Sequence, residues 1–276
     1  MLITKMQCVG NDFLFVDCFN DIIEHPSDFS AETCDRHFGI GSDALVLILY
    51  SDDADFRTEV YDIDGKIISS TPNILVCAAK YAREKGITDK NTISVDTGDG
   101  VKYVTVSDEE DFTCTVNAGR FIITPQLVPV DFTGDSFIDK TISAGNTEYQ
   151  VTCLSVGGNT CTVIFTDNGV ELNETKLNLS APYIEEHNIF PDKTNVIFAN
   201  VVCRDCIQVR CWKKNEGEAI GCDFGAVSAF AAAYLNNLVD RKGVAELYGG
   251  DLEIEISEDD FIYMTAKAEK VFDIEW

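Results

Sequence analysis

GAVSAFAAAYLNNLV, residues 225–239, is the stretch that decides how this chain folds. Small and apolar side chains recur in it at helical spacing, and its amides, Asn236 and Asn237, are held back to the far end. A helix that is apolar on nearly every side belongs inside a shell of other elements. NILVCAAKYAREK, residues 73–85, has the same spacing and gives the other long helix. Most of the remainder is β-like: residues 13–17, 44–50, 92–95 and 101–106 are short apolar or alternating runs between Gly, Asp and Asn turns. The surroundings of the two helices repeat. Residues 56–61 lead through Asp64 and Gly65 to Thr71 at the start of helix one, and residues 207–212 lead through Gly217 to Cys222 at the start of helix two.

The expected fold is therefore α+β, with two pseudo-symmetric lobes of mostly antiparallel strands, each wrapped around a central buried helix. Residues 1–117 and the tail 263–276 form the first lobe in this reading, and residues 118–262 the second. A helix N-terminus from each lobe, aimed at a shared cleft, suits a small anionic ligand, because unpaired N–H groups and the helix dipole both favour negative charge there. Length agrees, since 276 residues exceed the usual size of one domain.

Charge narrows the partners. With 47 acidic against 21 basic side chains the formal net charge is -26, which repels a phosphate backbone or an anionic membrane surface, so neither nucleic acid nor membrane is expected. The acidic runs at residues 52–53, 108–111 and 258–260 read as solvated faces. No apolar run approaches the ~20 residues that cross a bilayer. Eleven cysteines, odd in number and irregular in spacing, follow an opening, MLITKMQCVGNDF, without a signal-peptide core; the expected location is the reducing cytoplasm. The lone CxxC, Cys203 to Cys206, lacks the second ligand pair of a structural zinc site and reads as a strand or hairpin feature. His25, His37 and His187 stand far apart, and no metal site is expected.

Residues 5–17, KMQCVGNDFLFVD, are similar to the opening K-M-x-x-x-G-N-D-F of the diaminopimelate epimerase family. Further segments resemble that family in its own order: residues 36–43 (RHFGIGSD), Asp64-Gly65 with residues 77–81 (CAAKY), Asp96-Thr97 before Gly100, and residues 155–161. Residues 190–195 (FPDKTN), Gly217-Glu218 before Cys222, and Tyr263-Met264-Thr265 with Ala268-Glu269 complete the series. The resemblance implies a homodimer without a cofactor, acting on an amino acid or related small carboxylate. It also implies two cysteines facing opposite sides of the substrate α-carbon, one a thiolate base and the other a thiol acid. The chemistry is sound, because an α-proton is a weak acid and a thiol at a helix N-terminus is an activated base. Backbone N–H groups at the same helix ends would hold a carboxylate and stabilise enolate-like charge.

The chain departs from that pattern mostly at the implied site. Cys222 stands at the second cysteine position, but the first is Thr71, and an aliphatic hydroxyl is far too weak to replace a thiol unless something activates it. In the related proline racemase family, threonine at this position goes with dehydration of a hydroxyproline. Thr71-Pro72 also reads simply as a helix N-cap followed by proline at the first helical position. After Cys222 the family's small pair is Asp223-Phe224, which brings a carboxylate into competition with an anionic substrate. The family's Glu-Arg pair is Lys213-Lys214, so Lys214 keeps positive charge without the bidentate fork and Lys213 reverses a sign. Asn11, Asn73 and Asn195 match asparagines of the family, and for Asn11 and Asn195 a turn-forming role is the alternative. The asparagine expected before Asp64-Gly65 is Asp62, and the G-N-P-H segment reads Gly157-Gly158-Asn159-Thr160, with its asparagine displaced and its histidine missing. Cys222 and Thr71 are thus the candidate catalytic residues; Asn11, Asp62, Asn73, Asn159, Asn195, Lys213, Lys214 and Asp223 are the candidate substrate-binding residues. The alternative is a non-catalytic binding paralogue.

Overall fold

The computed structural model describes residues 1–19, 22–108, 111–166 and 172–276. The chain divides into two compact units, Met1–Asn117 with Thr265–Trp276, and Ala118–Met264.

The first unit runs β1 (Leu2–Cys8), β2 (Asn11–Asp17), α1 (Pro26–Thr33), β3 (Ala44–Leu49), β4 (Phe56–Asp62), β5 (Ile67–Ile68), α2 (Pro72–Glu84), β6 (Thr92–Thr97) and β7 (Gly100–Asp108). β1 and β2 are antiparallel, β2 and β3 parallel with Phe13 opposite Ala44, and β3 and β4 antiparallel. β4 then pairs antiparallel with β5 and parallel with β6, which turns back into β7. β8 (Thr113–Ile122) pairs with β7 and carries the chain out of the unit.

The second unit adds a hairpin of β9 (Lys140–Ala144) with β10 (Thr147–Val156), then repeats the scheme. Its elements are β11 (Asn159–Phe165), α3 (Leu177–Glu185), β12 (Asn195–Cys203), β13 (Cys206–Lys213), β14 (Gly217–Ala219), α4 (Asp223–Leu235), β15 (Lys242–Leu247) and β16 (Gly250–Ile256). β10–β11 is antiparallel, β11–β12 parallel with Cys161 opposite Asn195, β12–β13 and β13–β14 antiparallel, β13–β15 parallel and β15–β16 antiparallel. Partner for partner this is the order of the first unit, with a short helix inside one parallel crossover and the long helix inside the other. The faint repeat in the sequence is a complete repeat of topology, and the mixed α+β fold is as expected. β17 (Phe261–Glu275) returns the chain to the first unit, where its distal half pairs with β1.

Both long helices lie where their composition puts them. α2 packs on β1, β2 and β7, and α4 on β10 to β13, β15 and β16. Val227 and Phe230 of α4 have no exposed surface, and each fully buried side chain of this kind stabilises by about 1.5–3 kcal/mol before entropy is counted. α4 ends four residues earlier than the apolar pattern suggests. Asn237 takes a left-handed conformation (φ 59°), its N–H reaches the Tyr234 carbonyl, and the Leu238 N–H reaches that of Ala233. That double bond is a Schellman stop, so Leu238 and Val239 carry on the apolar pattern outside the helix. The short helices α1 and α3 were not expected, because neither has a strong apolar stripe.

The GNDF and GSD segments are clamped to each other in the first unit. Asp12 accepts a two-pronged bond from Arg36 (2.7 and 3.1 Å) and pairs with Lys5 (2.9 Å), while Arg36 also reaches Asp43 (2.7 Å). Burial raises the Asp12 carboxyl, but the bonds from Arg36 and Lys5 outweigh it and hold it below the ordinary carboxylate range. A lowered folded value gives stability that is complete above pH ~4 and is lost as the pH falls through the folded value. Asp12→Asn should therefore unfold earlier in urea at pH 7, by about 1 kcal/mol after discounting for the solvated Arg36 end. The gap to wild type should close as both proteins are taken down towards pH 2; a gap independent of pH would show that the charge is immaterial.

All eleven cysteines are free thiols. Among the described residues no helix is long and apolar enough to cross a membrane, and no group of three His, Cys, Asp or Glu side chains is placed to hold a metal. Asp52, Asp53, Asp111 and residues 258–260 are exposed, whereas Glu109 and Glu110 lie outside the described residues. Cys203 sits opposite Cys206 at the end of the β12–β13 hairpin.

Candidate active site

Each unit presents candidate residues at the start of its long helix. In the first unit Thr71 is the N-cap of α2, extended (φ -75°, ψ 163°), with Pro72 at the helix start. Its carbonyl accepts the first helical bond from Leu75, but its hydroxyl makes no capping bond. Position and backbone are those of an N-cap; the side chain does not do the capping.

Beside it, Asn73 has no exposed surface. Its Nδ2 donates to Asn11 Oδ1 (3.0 Å) and its Oδ1 accepts from Cys8 Sγ (3.3 Å). Asn11 in turn donates to Asp43 Oδ2 (2.9 Å), so the Asp12–Arg36–Asp43 clamp fixes the orientation of this amide. Asn11, Asn73 and the start of α2 are thus one braced unit. Asp62, opposite Ala44 on β3, is engaged in its own turn, with Oδ1 accepting from the backbone N–H groups of Asp64 (2.9 Å) and Lys66 (2.8 Å). That turn needs Gly65, whose φ is +75° and whose missing β-carbon leaves room for the Ser27 carbonyl.

In the second unit Cys222 is the N-cap of α4, extended (φ -161°, ψ 90°) and 1% exposed. Asp223 follows as the first helical residue, buried, with Oδ1 accepting the Phe224 N–H at 2.7 Å. One of the unpaired donors of this helix end is therefore already taken by the chain's own carboxylate. Cys211 Sγ, on β13, donates to Cys222 Sγ at 2.8 Å. Burial first, and then this bond to Cys222, push the Cys211 thiol well above its ordinary value, so it stays protonated. Gly225, one turn into α4, makes room for the pair: a β-carbon there would lie 2.7 Å from Cys222 Sγ and closer still to Cys211 Sγ.

Lys213 ends β13, and Lys214 opens the turn to β14. Lys213 is half-buried and 3.8 Å from Glu216, while Lys214 Nζ donates to the Asp192 carbonyl (3.1 Å). Asn195 Oδ1 accepts the Lys214 N–H (3.0 Å) and its Nδ2 donates to the Thr160 carbonyl (2.8 Å), which ties the turn to β11. Buried Glu185 of α3 holds the turn from beneath, accepting from Trp212 Nε1 (2.8 Å) and the Asn215 N–H (3.0 Å). Asn159 lies at the base of the hairpin turned by Gly157 and Gly158, and its Nδ2 donates to the Gly157 carbonyl at 3.5 Å. The fold brings Asn195 and Lys214 together and leaves Asn159 in its own turn.

Three residues of this second group carry no sequence signal that marks them. Cys211 and Glu185 look like ordinary strand and helix positions, and Gly225 looks like one more small residue in a helix of small residues. Only the alternation that turns Val209 and Cys211 inward could have pointed to Cys211.

A family model described as diaminopimelate epimerase matches residues 3–123 and 153–271. The chain is 37% identical over 276 residues to the diaminopimelate epimerase of Acetivibrio thermocellus, covering 99% of this chain and 97% of that protein. It is 39% identical over 284 residues to that of Agathobacter rectalis, covering 99% and 98%. Among solved structures it is similar to a probable proline racemase from Agrobacterium radiobacter, with a TM-score of 0.71 at 12% identity over 100% of this chain and 92% of that one. A phenazine biosynthesis protein of the PhzF family from Bacillus anthracis gives 0.68 at 13% identity over 100% and 98%. Identities this low speak for the fold alone. The match of one family across both units, with relatives alike along nearly the whole length, is decisive: the chain belongs to the diaminopimelate epimerase family.

Proposed function

We propose that this chain is a cofactor-independent isomerase that moves the α-proton of an amino acid or related small carboxylate through a single thiol, Cys222. The observation that carries the reading is the position of Cys222 as the residue that opens α4, in contact with a protonated thiol donor. Such a thiolate takes the α-proton, leaves enolate-like charge for nearby N–H groups to stabilise, and returns a proton to carbon. Thr71, at the position where the family resemblance puts a second thiol, orients a substrate group or relays a proton. Lys214 contributes positive charge for a carboxylate. Asn11 and Asn195 are held ready by Asn73, Asp43 and the Lys214 backbone, and Lys213, Asp223, Asp62 and Asn159 complete the proposed binding set. The relatives are named for diaminopimelate; Asp223 and the two lysines support a different substrate here. Eleven free thiols support the reducing cytoplasm as its location, and family resemblance supports a homodimer.

The test is proton exchange in heavy water, followed by NMR with diaminopimelate, other amino acids and hydroxy-amino acids. Cys222 exchanges the proton it has taken with solvent and returns one to the same face more often than relay through Thr71 delivers one to the opposite face, so deuterium is expected to enter an α-position faster than the configuration inverts. With a hydroxyl on the neighbouring carbon the same base leads instead to loss of water. Exchange and inversion at equal rates would sink the single-thiol reading. One observation favours a second reading, a binding paralogue without chemistry: Cys222 is almost closed to solvent and Asp223 occupies a donor of the helix end. Its signature is a folded protein that exchanges nothing across the panel.

A further inference from the structure

Cys211 sits in β13 opposite Ile197 on one side and Ala219 on the other, with no exposed surface. Its backbone is fixed by two strands, so its sulfur has little freedom to leave Cys222. We propose that Cys211 is a positioning residue: it donates its S–H to Cys222 Sγ, steadies negative charge on that sulfur, and so makes Cys222 the reactive thiol of the chain. The proposal rests on the reading of Cys222 as the acid/base group.

Two independent features support it. The first is the direction of the bond. Cys211 Sγ donates to Cys222 Sγ, and Cys222 opens α4, where unpaired N–H groups and the helix dipole favour negative charge, while Cys211 lies within β13 with no helix end of its own. Cys161, whose thiol is also raised by burial, adds no negative charge of its own. The second is the space. Gly225 carries no β-carbon at the one point where it would strike both sulfurs and Ile197 Cδ1 (3.1 Å). Lys213, two residues along β13 and on the same strand face, acts on Cys211 against burial and is outweighed by it, while the Asp223 carboxylate accepts the Phe224 N–H. A neutral, buried donor thus does what water does for an exposed thiolate.

The test compares Cys211→Ala with Cys211→Ser. Alanine deletes the donor and serine keeps one. Labelling with iodoacetamide at a single pH near 7, with Cys222 followed by peptide mass spectrometry, needs no substrate. The expected result is Cys222 alkylation about three- to tenfold slower in Cys211→Ala, and near the wild-type rate in Cys211→Ser. A wild-type rate in the alanine variant, or a serine variant as slow as alanine, overturns the proposal while leaving the isomerase reading intact. Failure of wild-type Cys222 to label at all in the folded protein overturns both. If the alanine variant does not fold, serine alone decides. An isotope-exchange panel that stays silent while the alanine and serine rates separate as expected removes the isomerase and leaves the thiol pair standing.

Discussion

Cys222→Ala is expected to lower α-deuterium incorporation by about 10³-fold, with the fold unchanged. A positioned acid/base group contributes about 10²–10⁴-fold, and a chain that relies on one thiol has no second group to share the loss. The substitution is structurally mild. The backbone bond from the Ala226 N–H to the Cys222 carbonyl, which starts α4, does not involve the side chain, and the sulfur removed leaves a gap of one atom beside Cys211. Thermal melting should therefore match wild type within a few degrees while exchange disappears into background. Residual exchange within tenfold of wild type, in a protein that melts normally, would falsify the assignment of Cys222 as the proton carrier.

The second large effect is expected at Gly225. Alanine is ordinarily the better helix former by about 1 kcal/mol, so a surface glycine in α4 would gain from the change. Here the added β-carbon meets Cys211 Sγ, Cys222 Sγ and Ile197 Cδ1, all buried and close-packed. Overpacking of this kind costs about 1–3 kcal/mol, which wins over the propensity gain. Gly225→Ala should lower the urea midpoint, and it should also slow alkylation of Cys222, because the two sulfurs must separate to admit the methyl group. A variant more stable than wild type, with Cys222 as reactive as before, would show that the pair has slack this geometry denies.

What the sequence showed and what it hid divide along physical lines. Both long helices were legible because a run of small and apolar residues at helical spacing has few other solutions, and NILVCAAKYAREK became α2 (Pro72–Glu84) almost residue for residue. The duplication was legible only as a hint, since two matching turns do not reveal that β2–β3 and β11–β12 are parallel while their neighbours are not. Such pairing depends on crossovers, and the helices inside them, α1 and α3, are too short to announce themselves. The end of α4 was misplaced because Leu238 and Val239 are apolar, and the left-handed turn at Asn237 is a local event that periodicity does not register.

The site followed the same rule. Cys222 was found through its neighbours in sequence, and its environment through none of them. That Asp223 would turn back onto the Phe224 N–H, and that Asn73 would be consumed in bracing Asn11, depends on atoms brought together from distant positions. Glu185 and Cys211 are 37 and 11 residues from Cys222 along the chain, and nothing short of the fold brings them into one argument.

The closing strand orders events in time. β1 lies between β2 and the distal half of β17, with Ile3 opposite Val16 on one side and Ile274 on the other. During synthesis, at about 5–20 residues per second, the first unit emerges early but waits with one edge of β1 unpaired until residues 265–276 are made. Every residue of the second unit precedes them. The half of the protein translated first is thus completed last, and the nascent chain carries an open strand edge, the kind of surface that chaperones shield, for nearly the whole of its time on the ribosome.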